Sequence, residues 1–140
     1  MYFEARSISV RYDKVMALRD VSIRLEQGQV VSLIGANGAG KTTTLRAITG
    51  LKKPSQGEVW FEGERIDQLP AAKIVARGIA MVPEDRKLQG LVLEHPIGEN
   101  IVYANLDKVG HGGWITKSAA TVFADGAIKK FGVKGQGGQP

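Results

Sequence analysis

Apolar and polar residues alternate in Ile8-Ser9-Val10-Arg11-Tyr12, in Val21-Ser22-Ile23-Arg24-Leu25 and in Glu58-Val59-Trp60-Phe61-Glu62. A period of two is that of strands with one face on a core and the other in water, and one-sided burial is typical of antiparallel sheets, so these segments predict an antiparallel β layer. Two further runs, Val30-Val31-Ser32-Leu33-Ile34 and Ile79-Ala80-Met81-Val82, are apolar without alternation and read as short strands buried on both faces, the second closed by Pro83. Helical spacing follows the first run in Thr43–Thr49, which stops at Gly50. Pro70 fits the first position of a short helix through Ala71–Arg77, ended by Gly78. Beyond Glu84 come a polar loop at Asp85–Gly90, a helix near Ile97–Ala104 and a Gly-rich connection at Gly110-His111-Gly112-Gly113. A last amphipathic helix from about Thr116 to Phe131 puts Ala120, Phe123, Ala127 and Phe131 on one face, is weakened by Gly126, and is capped by Gly132. The tail Lys134–Pro140 has no core residue and is expected to be loose. No repeat is present, and the order is α/β first and helical afterwards.

The 140 residues suit one ordinary domain, long enough for a real core if its elements complete one another. Cysteine is absent, which excludes disulfides and thiolate metal sites. No apolar run approaches the ~20 residues of a membrane span, and the N-terminus lacks the form of a signal peptide, so no direct membrane insertion is expected. Nineteen basic against fourteen acidic residues give a net charge of +5, which suits polyanionic ligands. The basic pairs Lys52-Lys53, Arg86-Lys87 and Lys129-Lys130 are scattered among acids and read as a solvated surface; nucleic acid is not an expected partner.

Gly35-Ala36-Asn37-Gly38-Ala39-Gly40-Lys41-Thr42 changes the picture, because it is a complete phosphate-binding loop placed between an apolar run and a helical one. Its glycines let the backbone turn tightly, so that the N–H groups of Asn37, Gly38, Ala39 and Gly40 can form a nest for phosphate oxygens. Lys41 is placed to reach the β- and γ-phosphates, Thr42 to coordinate Mg²⁺, and Thr43 to donate to an α-phosphate, with the start of the helix adding favourable dipole. A nucleoside triphosphate is the expected ligand.

Loop, strand pattern and Ile79-Ala80-Met81-Val82-Pro83-Glu84 together resemble the ATP-binding domain of ABC transporters over nearly the whole chain. Asn37–Thr43 has that family's form of the loop, and Leu51-Lys52-Lys53-Pro54-Ser55-Gln56-Gly57-Glu58-Val59 looks like its following turn and strand. Up to about Val82 the wording is similar to ATPases of branched-chain amino-acid importers; from Pro83 to Leu93 it resembles the second ATPase half of sugar importers, which leaves a mosaic chain or a divergent relative open. The resemblance implies an α/β P-loop NTPase: an incomplete ABC-type nucleotide-binding domain, with a P-loop and β core at 1–96, the start of a helical subdomain at 97–132 and a flexible tail at 133–140. It further implies ATP and Mg²⁺ as cofactors, a membrane permease subunit as partner, and a cytoplasmic place, peripheral on the inner face of the cell membrane. By the same resemblance Tyr12 stacks on adenine, a contact worth ~1–3 kcal/mol by analogy with aromatic–base stacking. Glu84 stands where the family commonly has a glutamine that touches Mg²⁺ and the attacking water, and is the candidate catalytic and metal residue. A carboxylate can ligate Mg²⁺ but has no amide to donate.

The family cuts ATP with a signature loop, a second acidic strand and a switch histidine, and this chain is expected to stop before all three. Gly137-Gly138-Gln139 echoes the signature's end by chance, and His95 and His111 lie too early to be the switch. A weaker alternative reads Ile79–Val82 with Glu84-Asp85 as the acidic strand; against it, Pro83 interrupts the run and the acids are in reverse order. The expectation is an importer ATPase fragment that binds ATP, hydrolyses little alone, and self-associates through unpaired strand edges. Two other readings stay open: a module that holds nucleotide without turnover, and a GTP switch using Asp107-Lys108-Val109-Gly110, which lacks a guanine-reading motif.

Overall fold

In the computed structural model, which describes residues 1–110 and 114–134, the three alternating segments become the main strands of one antiparallel sheet. Its strands are β1 (Phe3–Tyr12), β2 (Val15–Leu25), β3 (Gln56–Phe61) and the short β4 (Glu64–Arg65), in the order β2-β1-β3-β4. Phe3 lies opposite Leu25 on one side and Phe61 on the other, and Ala5 opposite Ile23 and Val59. Parity along β1 would carry Phe3 and Ala5 to one face and Ile8 and Val10 to the other. A register shift between Ala5 and Ile8, with Ser7 at φ 45°, inserts the residue that returns Ile8 and Val10 to the core side. Opposite this bulge Gly57 has φ 87°, and a Cβ there would stand 2.5 Å from the carbonyl oxygens of both Arg6 and Ser7. Only glycine fits that crossing.

The chain divides into two units, Met1–Met81 and Val82–Pro140. In the first, Phe3, Ala5, Ile8, Val10, Leu18, Val59 and Phe61 of the sheet bury against Ala47 of α1 (Lys41–Ile48), Ile74 of α2 (Ala71–Ala76) and Ile66. The opposite face of the sheet is ionic: Glu4, with only 1% of its side chain exposed, accepts from Arg6 and Arg24, and Arg65 bridges Glu58 and Asp67. In the second unit α3 (Arg86–Gln89), α4 (Ile97–Tyr103), α5 (Leu106–Val109) and α6 (Lys117–Phe131) follow in turn, and Val102, Val109 and Ala124 are buried together beside Ala119, Ala120 and Phe123. Thr116 caps α6 by accepting from the Ala119 amide at 3.3 Å, and Gly132 ends it at φ 62°.

Several expectations are corrected. Val30–Ile34 and Ile79–Val82 are not strands. Val30, Ile34 and Val82 are 94%, 95% and 86% exposed, because among the described residues no strand pairs with either run, and a strand without a ladder has nothing to offset its ordering cost. The polar loop at Asp85–Gly90 contains α3, since the Asp85 carboxylate accepts from the amides of Lys87 and Leu88 and nucleates one turn. Phe131 is 73% exposed, and Ala124 instead is buried on α6. The connection at His111-Gly112-Gly113 and the tail from Gly135, with its Gly137-Gly138-Gln139, lie outside the described residues.

Candidate phosphate-binding site

The site is built where an extended segment from β2 enters α1. Ala39 donates to the Ala36 carbonyl at 3.1 Å, closing a turn, and Gly38 and Gly40 take φ 85° and 90°, the left-handed region that glycine enters without strain. A Cβ on Gly40 would meet Leu18 Cδ1 at 3.0 Å and the Ala17 carbonyl oxygen at 3.2 Å, so the end of the loop is seated against β2. Helix α1 starts at Lys41 with Gly40 as its cap residue, no side-chain cap and no acid in its first turn. The amides of Lys41, Thr42 and Thr43 therefore lack both an acceptor four residues back and a side-chain substitute.

Lys41 folds back over this loop: its Nζ donates to the Gly35 carbonyl at 2.6 Å and to the Ala36 carbonyl at 2.9 Å. The three threonines divide by position. Thr44 is buried and its hydroxyl donates to the Gly40 carbonyl at 2.9 Å, whereas Thr42 is exposed and Thr43 half-buried, with no such bond. Asn37, Gly38 and Ala39 are exposed. An ammonium, left-handed glycines, free amides and no nearby helix acid form a donor set that fits a polyanion. Among the described residues no group of three or more His, Asp or Glu side chains converges on a metal position. A cation here would depend on the anion's oxygens and the Thr42 hydroxyl.

Tyr12, the last residue of β1, is half-buried, and its ring has the Lys52 ammonium 4.7 Å from its centroid. By its sequence Lys52 is half of a solvated basic pair and part of the turn at Leu51–Val59, with no role of its own. Nothing in its local pattern distinguishes it from Lys53, and the contact exists only because residues 52–55 fold back to β1. Glu84 is exposed and belongs to the second unit, beside the Asp85 that caps α3. His95 precedes α4, where its Nδ1 lies 2.7 Å from Glu99 Oε2 and 2.7 Å from the Tyr103 hydroxyl. Asp107–Gly110 coincides with α5 and its cap, so these residues are spent on one helical turn.

Comparison with known proteins gives a consistent result. A sequence profile described as ABC transporter matches residues 18–137. The high-affinity branched-chain amino acid transport ATP-binding protein BraG of Pseudomonas aeruginosa is 43% identical over 58% of this chain and 35% of its own length. The ribose import ATP-binding protein RbsA of Bacillus subtilis is 32% identical over 94% of this chain and 26% of its own. The chain thus spans about a third or less of these curated relatives. Among solved structures, a dimeric ATP-binding cassette in a post-hydrolysis state, bound to ADP and phosphate, superimposes with a TM-score of 0.75 at 21% identity, over 99% of this chain and 61% of that one. An ATP-binding cassette of an ABC transporter in its ADP conformation superimposes at 0.61 with 27% identity, over 86% and 45%.

Proposed function

Because this chain belongs to the ABC transporter family, which it matches over residues 18–137, we propose that it is the ATP-binding portion of an importer ATPase, holding ATP at Asn37–Thr43. The observation that carries this reading is the placement of Lys41: it opens α1 directly after two left-handed glycines, with its ammonium folded over the loop it would share with the phosphates. In the proposed complex the Lys41 ammonium exchanges the two carbonyl oxygens for β- and γ-phosphate oxygens, and the free amides of α1 take the remaining charge. Thr42 supplies one Mg²⁺ ligand and Thr43 an α-phosphate donor. Tyr12 gives the base a ring to stack on.

The function proposed for the whole protein is solute uptake, with an amino acid or a sugar as cargo, as the names of the relatives suggest. The partner would be a membrane permease, and the location cytoplasmic, peripheral on the membrane's inner face. Among the described residues no helix is long and apolar enough to cross a membrane. Binding is what these residues support best. Phosphoryl transfer also needs an oriented nucleophile, which a phosphate loop does not supply.

Calorimetric titration with ATP and Mg²⁺ tests the reading. Lys41→Ala should weaken binding by about tenfold or more, the worth of a charge-assisted hydrogen bond. Equal affinity in both forms would sink it. Phosphate release measured alongside separates a turning-over enzyme, whose rate depends on Lys41, from a module that only holds nucleotide.

A further inference from the structure

We propose that Lys52 is a positioning residue for the nucleotide base: its ammonium holds the Tyr12 ring in the orientation on which a purine stacks. The inference rests on the ATP-binding reading above and adds to it a residue that acts through Tyr12.

Tyr12 ends β1, pairs with Val15 across a turn with Asp13 at φ 50°, and is half-buried against the core of the first unit. Lys52 Nζ lies 4.7 Å from the ring centroid, inside the range in which a cation is attracted to the π face. Among the described residues the Lys52 ammonium makes no ion pair, so this ring is its partner. The lysine is itself held. Its amide donates to the Arg46 carbonyl at 3.0 Å in the last turn of α1, and three residues on the Ser55 amide and hydroxyl both donate to the Ser9 carbonyl, at 2.8 and 3.0 Å. Helix α1 therefore presents the phosphate loop at its start and, just past its end, the cation that fixes Tyr12. One rigid element sets the spacing between the two ends of the nucleotide.

The experiment measures affinity of the full chain for ATP and for inorganic tripolyphosphate, each with Mg²⁺, by calorimetry. The variants are Lys52→Ala, Lys53→Ala, Lys52→Arg, Tyr12→Leu and the pair Lys52→Ala/Tyr12→Leu; leucine keeps the apolar packing of Tyr12, and circular dichroism checks that each variant folds. Lys53 is the adjacent exposed lysine and controls for loss of charge alone. The expected result is that Lys52→Ala weakens ATP binding about three- to fivefold beyond Lys53→Ala, the size of an exposed cation–π contact. Tripolyphosphate binding should match the Lys53→Ala control, the Lys52 effect should vanish in the Tyr12→Leu background, and Lys52→Arg should restore affinity because guanidinium also stacks. The proposal is overturned if Lys52→Ala binds ATP as Lys53→Ala does, if it binds more tightly, or if tripolyphosphate suffers equally, which would make Lys52 a phosphate contact. Failure of the unaltered chain to bind either ligand is a different result: it removes the nucleotide-binding reading, and this proposal with it.

Discussion

Lys41, the proposed phosphate ligand, is held in the fold by its own loop. Its ammonium is satisfied by the Gly35 and Ala36 carbonyls, so taking an anion exchanges one set of oxygens for another and adds no unpaired charge. Three carboxylates of the first unit, Glu4, Glu64 and Asp67, are held below their ordinary values and contribute to its acid limit. Burial pushes the Asp67 carboxyl up, but the Arg65 guanidinium, the Val59 amide at 3.0 Å and Gln68 outweigh it and hold it below its ordinary 3.8. Burial likewise raises Glu4, and Arg6 and Arg24 bring it below 4.5. A carboxyl depressed by folding stabilises the native state above its unfolded value, and that contribution is lost as pH falls through the lower folded value. Thermal melts of the first unit should therefore hold level above pH 4.5 and drop progressively below it, and Glu4→Gln should flatten that drop while lowering stability at neutral pH. Gly57→Ala should cost at least ~2 kcal/mol in urea unfolding, since it forces φ 87° on a residue with a Cβ and drives that atom into two carbonyls.

At the scale of elements, local signals suffice where an element's partners are close in sequence. β1 and β2 are joined by two residues, Tyr12 pairing with Val15, and β3 and β4 by Glu62-Gly63, which take φ 48° and 82° as a two-residue hairpin requires. Helix α6 carries its own start and stop in Thr116 and Gly132. Within it Gly126 is exposed, and a Cβ there would meet nothing within 4 Å. Gly126→Ala should raise the stability of the second unit by roughly 0.5–1 kcal/mol in thermal or urea unfolding, and a loss would show that the helix needs the freedom of glycine there. The runs at 30–34 and 79–82 are the counterexample. Their composition is that of buried strands, but a parallel strand is stable only with neighbours on its edges and cover on its faces; Val30–Ile34, Ala80 and Val82 stay exposed, and Ile79 only partly packs on the core.

For the whole molecule, the exposed apolar run Val30–Ile34 is expected to offer another chain backbone to pair with. Light scattering after size exclusion should show concentration-dependent association, weakened by Val30→Lys with Ile34→Lys; a clean monomer across the range would refute it. The sequence by itself determined the glycine turn that enters α1, the antiparallel layer, the short helix after Pro70 and both ends of α6. Each is written in contiguous residues through turn chemistry, caps or a period of two, so no distant partner is needed to read it. Tertiary structure alone decided the parity flip at Ser7, the exposure of Val30–Ile34 and the Lys52–Tyr12 contact. A bulge, a missing ladder and a ring beneath an ammonium all depend on which distant segments meet, and that depends on the folded chain as a whole.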